Sequence, residues 1–223
     1  MTLLRHAALV CFVAALAGGC ATTRKAYYDT WEKFGYAKRE RLVDNVKAAR
    51  QEQVDAKQQF ASALEQFKSV VRVETSDLEK LYNRLDKQYQ RCDGQAGEVR
   101  SKIQSVKNVG AALFKEWEQE IGQIKDDASL QQQSRKLLDR TRGNYDEMIH
   151  RMDAAAATMD PVLTQFKNRV LFIKHNLNAQ AIASLKGTEM DLGKDIEKLI
   201  REMEASIAEA DAFIAEVQGK KKA

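Results

Sequence analysis

The sequence is poor in residues that break helices and in residues that build disulfides and metal sites. It has one proline, eleven glycines, three cysteines and three histidines among 223 residues. Because proline interrupts helices and glycine weakens their interiors, so few of both suits an almost wholly helical chain. The 36 basic and 32 acidic residues nearly balance. The sequence has no strongly basic domain, so its charge does not indicate a nucleic-acid partner.

The three cysteines exclude a disulfide framework. Cys11 lies in an apolar N-terminal segment and Cys20 ends that segment, which leaves Cys92 alone in the rest of the chain. A single thiol forms neither an intrachain disulfide nor a cysteine metal site, although Cys92 could pair between two molecules.

The first nineteen residues have the order of a secretory signal. One positive charge at Arg5 precedes an apolar run from Ala7 to Ala17, and Gly18 and Gly19 follow. The run is about half the length of roughly 20 residues that a membrane-spanning helix needs. We therefore predict a signal peptide over residues 1–19 and one elongated helical-bundle domain over residues 20–223.

The stretch "LAGGC" (residues 16–20) resembles a bacterial lipobox, in which small residues precede an acylated cysteine. The resemblance implies that Cys20 becomes the first residue and carries acyl chains, palmitate among them. Ala21 follows, and the absence of Asp at that position resembles the sorting signal for the outer membrane. The alternative is ordinary secretion with cleavage after Ala17 or Gly19.

Apolar residues recur in heptads over most of the remaining chain, which predicts helices that pack along one seam. The pattern passes through Gly94 and Gly97 in phase, so we expect the helix to continue there. A second series also stays in phase across Pro161, for which we predict a kink, with a helix restart capped by Asp160 as the alternative. The two series are Leu78, Leu85, Cys92, Val99, Val106 and Leu113, and Leu138, Tyr145, Met152, Met159, Phe166 and Ile173.

Helix boundaries follow from capping signals. Ser76 and Ser129 each precede an acidic or amide residue by three positions, as in a capping box, and Gly187-Thr188 fits a helix end. We predict helices near 24–72, 76–126, 130–186 and 189–218. Short connections make successive helices antiparallel neighbours. The predicted fold is an all-α, elongated antiparallel coiled-coil bundle of three long helices and one shorter C-terminal helix.

Antiparallel packing of the first two helices also predicts a register. It places Trp31 level with Trp117, Phe34 level with Phe114, and Cys92 level with Ala56, where we expect a buried, slowly reacting thiol. Two interpretations remain for the five aromatic residues that follow Cys20: they fill the base of the bundle, or they rest on lipid head groups. These residues are Tyr27, Tyr28, Trp31, Phe34 and Tyr36.

Two stretches resemble the signature blocks of a family of uncharacterised lipoproteins from gammaproteobacteria. They are "KRERLVDNVKAARQEQVDAKQQFASALEQFKSVV" (38–71) and "VLFIKHNLNAQAIASL" (170–185). The resemblance implies a helical, exported, lipid-anchored protein and adds no catalytic residues.

The densest polar cluster is Lys174, His175, Asn176 and Asn178, which we interpret as a solvated face or, alternatively, a binding site. His150 lies 25 residues from His175, too far along one helix for a shared metal ion. No hydrolase, metalloprotease, phosphate-loop or EF-hand motif occurs in the sequence. The sequence therefore predicts no catalytic, cofactor or metal site, and acylated Cys20 is the one expected modification.

These features predict a non-enzymatic scaffold or spacer on the periplasmic face of the outer membrane. Its expected partners are outer-membrane lipid, through Cys20, and an unknown envelope protein. One alternative is a helical membrane-active protein that forms pores. Another is a peptidoglycan-associated tether, since the tail "QGKKKA" loosely resembles that of lipoproteins joined to peptidoglycan, although it ends in Ala223 rather than lysine.

Overall fold

Helix fills almost all of the chain that the structure, a computed structural model, describes. The described residues are 19–72, 77–125, 127–176, 184–185 and 189–219. They form α1 (Gly19–Arg72), α2 (Leu78–Gly122), α3 (Ala128–Ala157), α4 (Met159–His175) and α5 (Glu189–Gly219). No strand occurs among these residues. The predicted all-α bundle is confirmed, with α3 and α4 together taking the place of the third long helix.

The chain divides into two compact units, one up to Arg41 and one from Leu42 onward. The described part of the first unit is the start of α1, whose backbone is helical from Gly19. The second unit, called the helical bundle below, contains the rest of α1 and the other four helices. All the contacts described here lie within the helical bundle.

The heptad seam of α2 is buried from Leu85 onward, as the sequence predicted, whereas Leu78 in the first turn is half-buried. The helix runs unbroken through Gly94 and Gly97, which are both exposed, and a Cβ built on either would meet no atom within 4 Å. These glycines therefore lower helix propensity without opening the core. The buried seam positions are Leu85, Cys92, Val99, Val106 and Leu113, accompanied by Ala96, Ile103, Gly110 and Trp117.

The third helix is interrupted at Thr158 rather than kinked at Pro161. Proline has no N–H and its ring crowds the carbonyl four residues earlier, which here belongs to Ala157, the last residue of α3. Thr158 forms a one-residue turn, and its hydroxyl donates to the carbonyl oxygen of Ala155 at 2.7 Å. The seam continues across the break, because Met152 and Met159 are both fully buried.

The predicted cap at Asp160 is wrong. The helix resumes at Met159, so that Asp160 lies in the first turn, and Thr158 occupies the cap position without a side-chain cap bond. The Asp160 carboxylate instead accepts a hydrogen bond from Arg100 of α2. An acidic side chain in this turn is still stabilised by the positive end of the helix dipole.

Aspartates, not serines, cap α2 and α3. The Asp77 carboxylate accepts from the backbone N–H of Lys80 at 3.1 Å, and that of Asp127 accepts from Leu130 at 2.8 Å. Aspartate and serine are about equally good caps, so neighbouring candidates compete and the two serine predictions were wrong about the capping residue. Ser76 itself lies outside the described residues.

The third predicted helix is also shorter than expected, because α4 ends at His175 and not near 186. The backbone N–H of Asn176 donates to the carbonyls of Phe172 and Ile173, and its side-chain amide donates to Phe172 at 3.0 Å. Asn176 thus satisfies carbonyls that the end of the helix leaves open. Gly187 and Thr188 lie outside the described residues.

Polar pairs between α1 and its two antiparallel neighbours recur in steps of seven residues. Between α1 and α2, Glu52 accepts from Gln95 at 2.7 Å, and Gln59, seven residues later, donates at 3.0 Å to Gln88, seven residues earlier. These contacts agree with the predicted register to within one helical turn.

Between α1 and α5 the same step recurs. Arg50 forms a bidentate pair with Asp211 at 2.7 and 3.0 Å, and Lys57 pairs with Glu204 at 3.1 Å.

The other neighbouring helices are paired in the same way. Arg100 binds Asp160 and Lys107 binds Asp153, so that α2 runs antiparallel to both α3 and α4. On α5, Glu216 accepts from Asn144 and Asp195 accepts from Gln165, which is 21 residues further along and three heptads away. The rows of polar pairs flank the apolar seam, as the positions beside a coiled-coil core do.

Candidate functional site

A polar pair is buried between α1 and α5. Gln53, which interrupts the apolar seam of α1, and Ser206 of α5 both have 0% of their surface exposed. The Ser206 hydroxyl donates to Gln53 Oε1 at 3.0 Å, whereas Gln53 Nε2 has no hydrogen-bond partner among the described residues. A buried amide that is half satisfied costs stability, and such residues are known to fix register in helical assemblies.

Removal of the hydroxyl should show how this pair behaves. Ser206→Ala removes the hydrogen bond that Gln53 Oε1 accepts and leaves the whole amide unpaired, and we expect the free energy of unfolding to fall by about 1–3 kcal/mol. Gln53→Leu combined with Ser206→Ala removes both polar groups and should recover most of that loss. A double-mutant cycle by chemical denaturation measures the coupling; additive effects of the two substitutions would contradict it.

Cys92 lies in the core of the helical bundle, as predicted. Its side chain is fully buried, and Sγ donates to the backbone carbonyl of Gln59 at 3.8 Å. The Gln59 amide lies 3.9 Å from the same sulfur and donates to Gln88. Burial raises the pKa of Cys92 to about 12, against the smaller opposing effect of the Gln59 hydrogen bond. The thiol is therefore protonated at neutral pH and faces other core residues rather than solvent.

Slow reaction of this thiol is a direct test. In a chain that begins at residue 20 and carries Cys20→Ser, Cys92 is the one remaining cysteine. Because its pKa rises from 9.0 to about 12, the thiolate fraction near neutral pH should fall about 1,000-fold, and burial should slow the reaction further. Labelling by a water-soluble disulfide reagent should be slow in the native protein and fast in denaturant. Fast labelling of the native protein would contradict the buried position.

The same pKa shift predicts an alkaline loss of stability. The unfolded chain releases the thiol proton above about pH 9, whereas the folded chain retains it up to about pH 12. The contribution of Cys92 is therefore present below pH 9 and lost between pH 9 and pH 12. We expect the stability difference between the wild type and Cys92→Ala to shift against the wild type over that interval, as followed by denaturant unfolding. A difference that stays constant with pH would rule the shift out.

A buried tyrosine contacts a glycine on the neighbouring helix. The Tyr145 hydroxyl donates to the carbonyl of Val106 at 3.2 Å, and the ring lies directly against Gly110. Phe114 and Phe213 pack edge-on against it, with centroids at 5.1 and 6.1 Å. Burial raises the pKa of Tyr145 to about 12, so it is neutral and serves as a hydrogen-bond donor. The sequence placed Tyr145 in the seam but did not reveal its pairing with Gly110.

A shallow surface depression beside this tyrosine is lined by residues that already pair with one another. The Arg142 guanidinium lies 5.2 Å from the centroid of the Phe114 ring and donates to Glu118 at 2.7 Å. Lys107, on the same rim, donates to Asp153 at 2.8 Å. These contacts hold α2 against α3 and explain the charges without a ligand.

The polar cluster near the end of α4 is exposed. Lys174, His175 and Asn176 all face outward, as the solvated-face interpretation predicted, and Asn178 lies outside the described residues. Lys174 Nζ lies 5.9 Å from the ring centroid of Tyr82. The structure adds two large apolar neighbours on the outside of the same helix, Leu171 and Phe172, which sequence reasoning had not placed at a surface.

Several predicted residues fall where side chains are not described. Cys20 lies in the helical backbone of α1, but its side chain belongs to the undescribed range 1–36, as do those of Trp31 and Phe34. The acylation of Cys20 and the pairing of Trp31 and Phe34 with residues of α2 therefore stay predictions. The lysines of the C-terminal tail also lie outside the described residues.

Two features of the described residues bear on binding. Among them, no group of three or more His, Cys, Asp or Glu side chains is placed to hold a metal ion. In the same part of the chain, no helix contains an apolar window that is long enough to cross a bilayer.

Comparison with known proteins gives one match. No curated protein and no solved structure matches the chain. The profile of one family covers residues 27–217, which is most of the sequence and nearly all of the five helices. The chain therefore belongs to the family described as protein of unknown function (DUF2959).

Proposed function

We propose that this protein is a non-enzymatic, lipid-anchored scaffold of the bacterial envelope. In this proposal, acyl chains on Cys20 attach it to the periplasmic face of the outer membrane, and the helical bundle holds an envelope protein. The observation that carries the proposal is that a lipobox-like "LAGGC" (residues 16–20) leads directly into helix α1, which begins at Gly19. The rest of the described chain is a bundle of heptad-packed helices.

The packing of the bundle supports a scaffold. Apolar residues fill the seam, and charged pairs lock neighbouring helices at several levels, for example Arg50 with Asp211 and Lys107 with Asp153. Each exposed pair contributes little alone. Their repetition on both sides of the seam specifies which helices are neighbours and at which register, and a surface that recognises a partner requires such a fixed frame.

The anchor is supported by the order of residues at the N-terminus. An apolar run that is too short to span a bilayer ends in small residues and Cys20. Two or more acyl chains hold a protein to a bilayer far more durably than one. The family resemblance of residues 38–71 and 170–185 points to exported lipoproteins of gammaproteobacteria and agrees with this arrangement.

The N-terminus of the native protein tests the anchor. Mass spectrometry should find Cys20 as the first residue, with acyl chains attached, and the protein should fractionate with outer membranes. Cys20→Ser should move it to the soluble fraction while circular dichroism shows the same helix content. An unacylated native terminus at another residue would refute the anchor.

Crosslinking in intact cells tests the scaffold. Native protein should yield one or more discrete crosslinked partners, and their yield should drop for Cys20→Ser, which is folded but no longer at the membrane. Phe166→Ala, which weakens the core, serves as a second comparison because it retains the anchor. Absence of any partner from the native protein across several crosslinker lengths would argue against a scaffold.

A further inference from the structure

One segment of the chain contains no acidic residue. Between Asp160 and Glu189 the sequence has only neutral and basic side chains. At the average frequency of 32 acids in 223 residues, a stretch of this length would hold about four. The segment has four Lys or Arg residues, and α4 forms its first half.

The last turns of α4 are apolar on both faces. Val170 and Ile173 point into the core and are buried, whereas Leu171 and Phe172 lie on the outer face with 39% and 40% of their surface exposed. Solvent-facing helix positions normally carry polar side chains. Among the described residues, Leu171 and Phe172 are the two large exposed apolar side chains that lie in adjacent positions, and an exposed apolar patch is a candidate contact surface.

Basic side chains surround this pair. Lys167 and Lys174 lie four residues before and three after Leu171, and His175 lies three after Phe172, so all are on the same side of the helix and exposed. On the side toward α5, the Asp195 carboxylate accepts from Gln165. On the side toward α2, the register of Arg100 with Asp160 puts Asp93 and Asp86 at the levels of Lys167 and Lys174. The helix α4 itself carries apolar and basic groups and no acid on its outward side after Asp160.

The other exposed leucines of the bundle have a different setting. Leu130 and Leu137 of α3 are 51% and 38% exposed. The Asp127 carboxylate stands three residues before Leu130, and Arg140, three residues after Leu137, pairs with Glu216 of α5 at 3.4 Å. These leucines match the α4 pair in exposure but not in charge.

We infer that the outer face of α4, formed by Lys167, Leu171, Phe172, Lys174 and His175, docks on a bilayer surface that contains anionic lipid. Aromatic and aliphatic side chains enter the boundary between head groups and acyl chains, while lysines are attracted to the negative surface. The exposed pair Leu171 and Phe172 favours a bilayer over an acidic polypeptide, because a bilayer offers an apolar layer beneath its negative surface. The inference does not depend on the proposed anchor at Cys20.

Vesicle sedimentation tests the inference with the chain from residue 20 onward carrying Cys20→Ser in every arm, so that neither acylation nor the apolar segment 1–19 can deliver binding. The probes are vesicles of phosphatidylcholine alone and of phosphatidylcholine with phosphatidylglycerol. We expect binding to the mixed vesicles, much weaker binding to the neutral ones, and a decrease with added salt.

Two variants separate the charged and apolar parts. Lys167→Gln with Lys174→Gln should weaken binding to mixed vesicles about 30-fold, since each lysine at an anionic surface contributes roughly a factor of five. Leu171→Ser with Phe172→Ser should also weaken it. The matched control, Leu130→Ser with Leu137→Ser, should bind as the parent does. All six positions altered on α3 and α4 are exposed, and circular dichroism checks that each variant is folded.

Three outcomes would overturn the inference. They are no binding to mixed vesicles, equal binding to both vesicle types, and equal loss in the α3 control. Retention on an acidic polypeptide such as polyglutamate, without vesicle binding, would likewise overturn it by assigning the face to a protein partner.

Discussion

Phe166→Ala is expected to lower the free energy of unfolding by about 3–5 kcal/mol, the range for truncating a buried aromatic ring. Phe166 of α4 is 1% exposed and packs edge-on against Phe67 of α1 and Tyr89 of α2, with both ring centroids at 6.2 Å. This one ring therefore links three helices, α1, α2 and α4. In a chain of this size the midpoint of thermal unfolding should fall by roughly 6–20 °C.

Phe172→Ala is the matched control for that experiment. The same ring is lost from the same helix, but 40% of Phe172 is exposed and it lies on the outer face. We expect a loss of less than about 1 kcal/mol, because surface substitutions rarely cost more. Similar losses of stability for the two variants would mean that Phe166 does not link α1, α2 and α4.

Gly110→Ala should destabilise the bundle by at least about 1–3 kcal/mol, although alanine is the better helix former. A Cβ at this position would lie 2.4 Å from both Cζ and the hydroxyl oxygen of Tyr145. The ring cannot easily move away, because Phe114 and Phe213 pack against it and its hydroxyl is bonded to Val106. Denaturant unfolding of the variant measures the cost.

Gly97→Ala gives the opposite sign on the same helix. Nothing lies within 4 Å of its Cβ position, so only the helix propensity changes and stability should rise by about 0.5–1 kcal/mol.

A second test adds Tyr145→Leu to Gly110→Ala. The double variant should lose less than the two single losses combined, because the clash is gone once the ring is removed. A stabilising Gly110→Ala would show that α2 and α3 are not this close.

The core was predictable because burial on a helix is set by spacing. Leu85, Val99 and Met152 belong to rows seven residues apart, and each is buried in the structure. Unbroken phase also correctly indicated that Gly94 and Gly97 do not end α2. The order of the helices followed from their short connections.

Details that depend on competition between neighbouring residues were not predictable in this way. Asp77 lies next to Ser76, and each offers an oxygen that can cap a helix, so the local sequence does not decide between them. The break near Pro161 falls upstream at Thr158, since proline disturbs the carbonyl four residues before it. Where a helix ends is thus decided by backbone bonds that periodicity does not report.

The candidate surfaces show the same division. The burial of Cys92 followed from its seam position and is confirmed. The pair Gln53 and Ser206 required knowledge of which helix faces α1, which no single helix reveals. The outer face of α4 could have been suspected from the acid-free segment after Asp160, but the exposure of Leu171 and Phe172 became visible only once Val170 and Ile173 were placed in the core.

The seven-residue step of the polar pairs restricts how the lengths of these helices can evolve. Arg50 and Lys57 on α1 meet Asp211 and Glu204 on α5, so an insertion in one helix shifts every later pair out of register. An insertion of seven residues, matched at the same level in each neighbouring helix, restores both the apolar seam and the pairs. Members of this family that differ in length within the helices should therefore differ by whole heptads, present in several helices at once, whereas the connections are free to vary by any number.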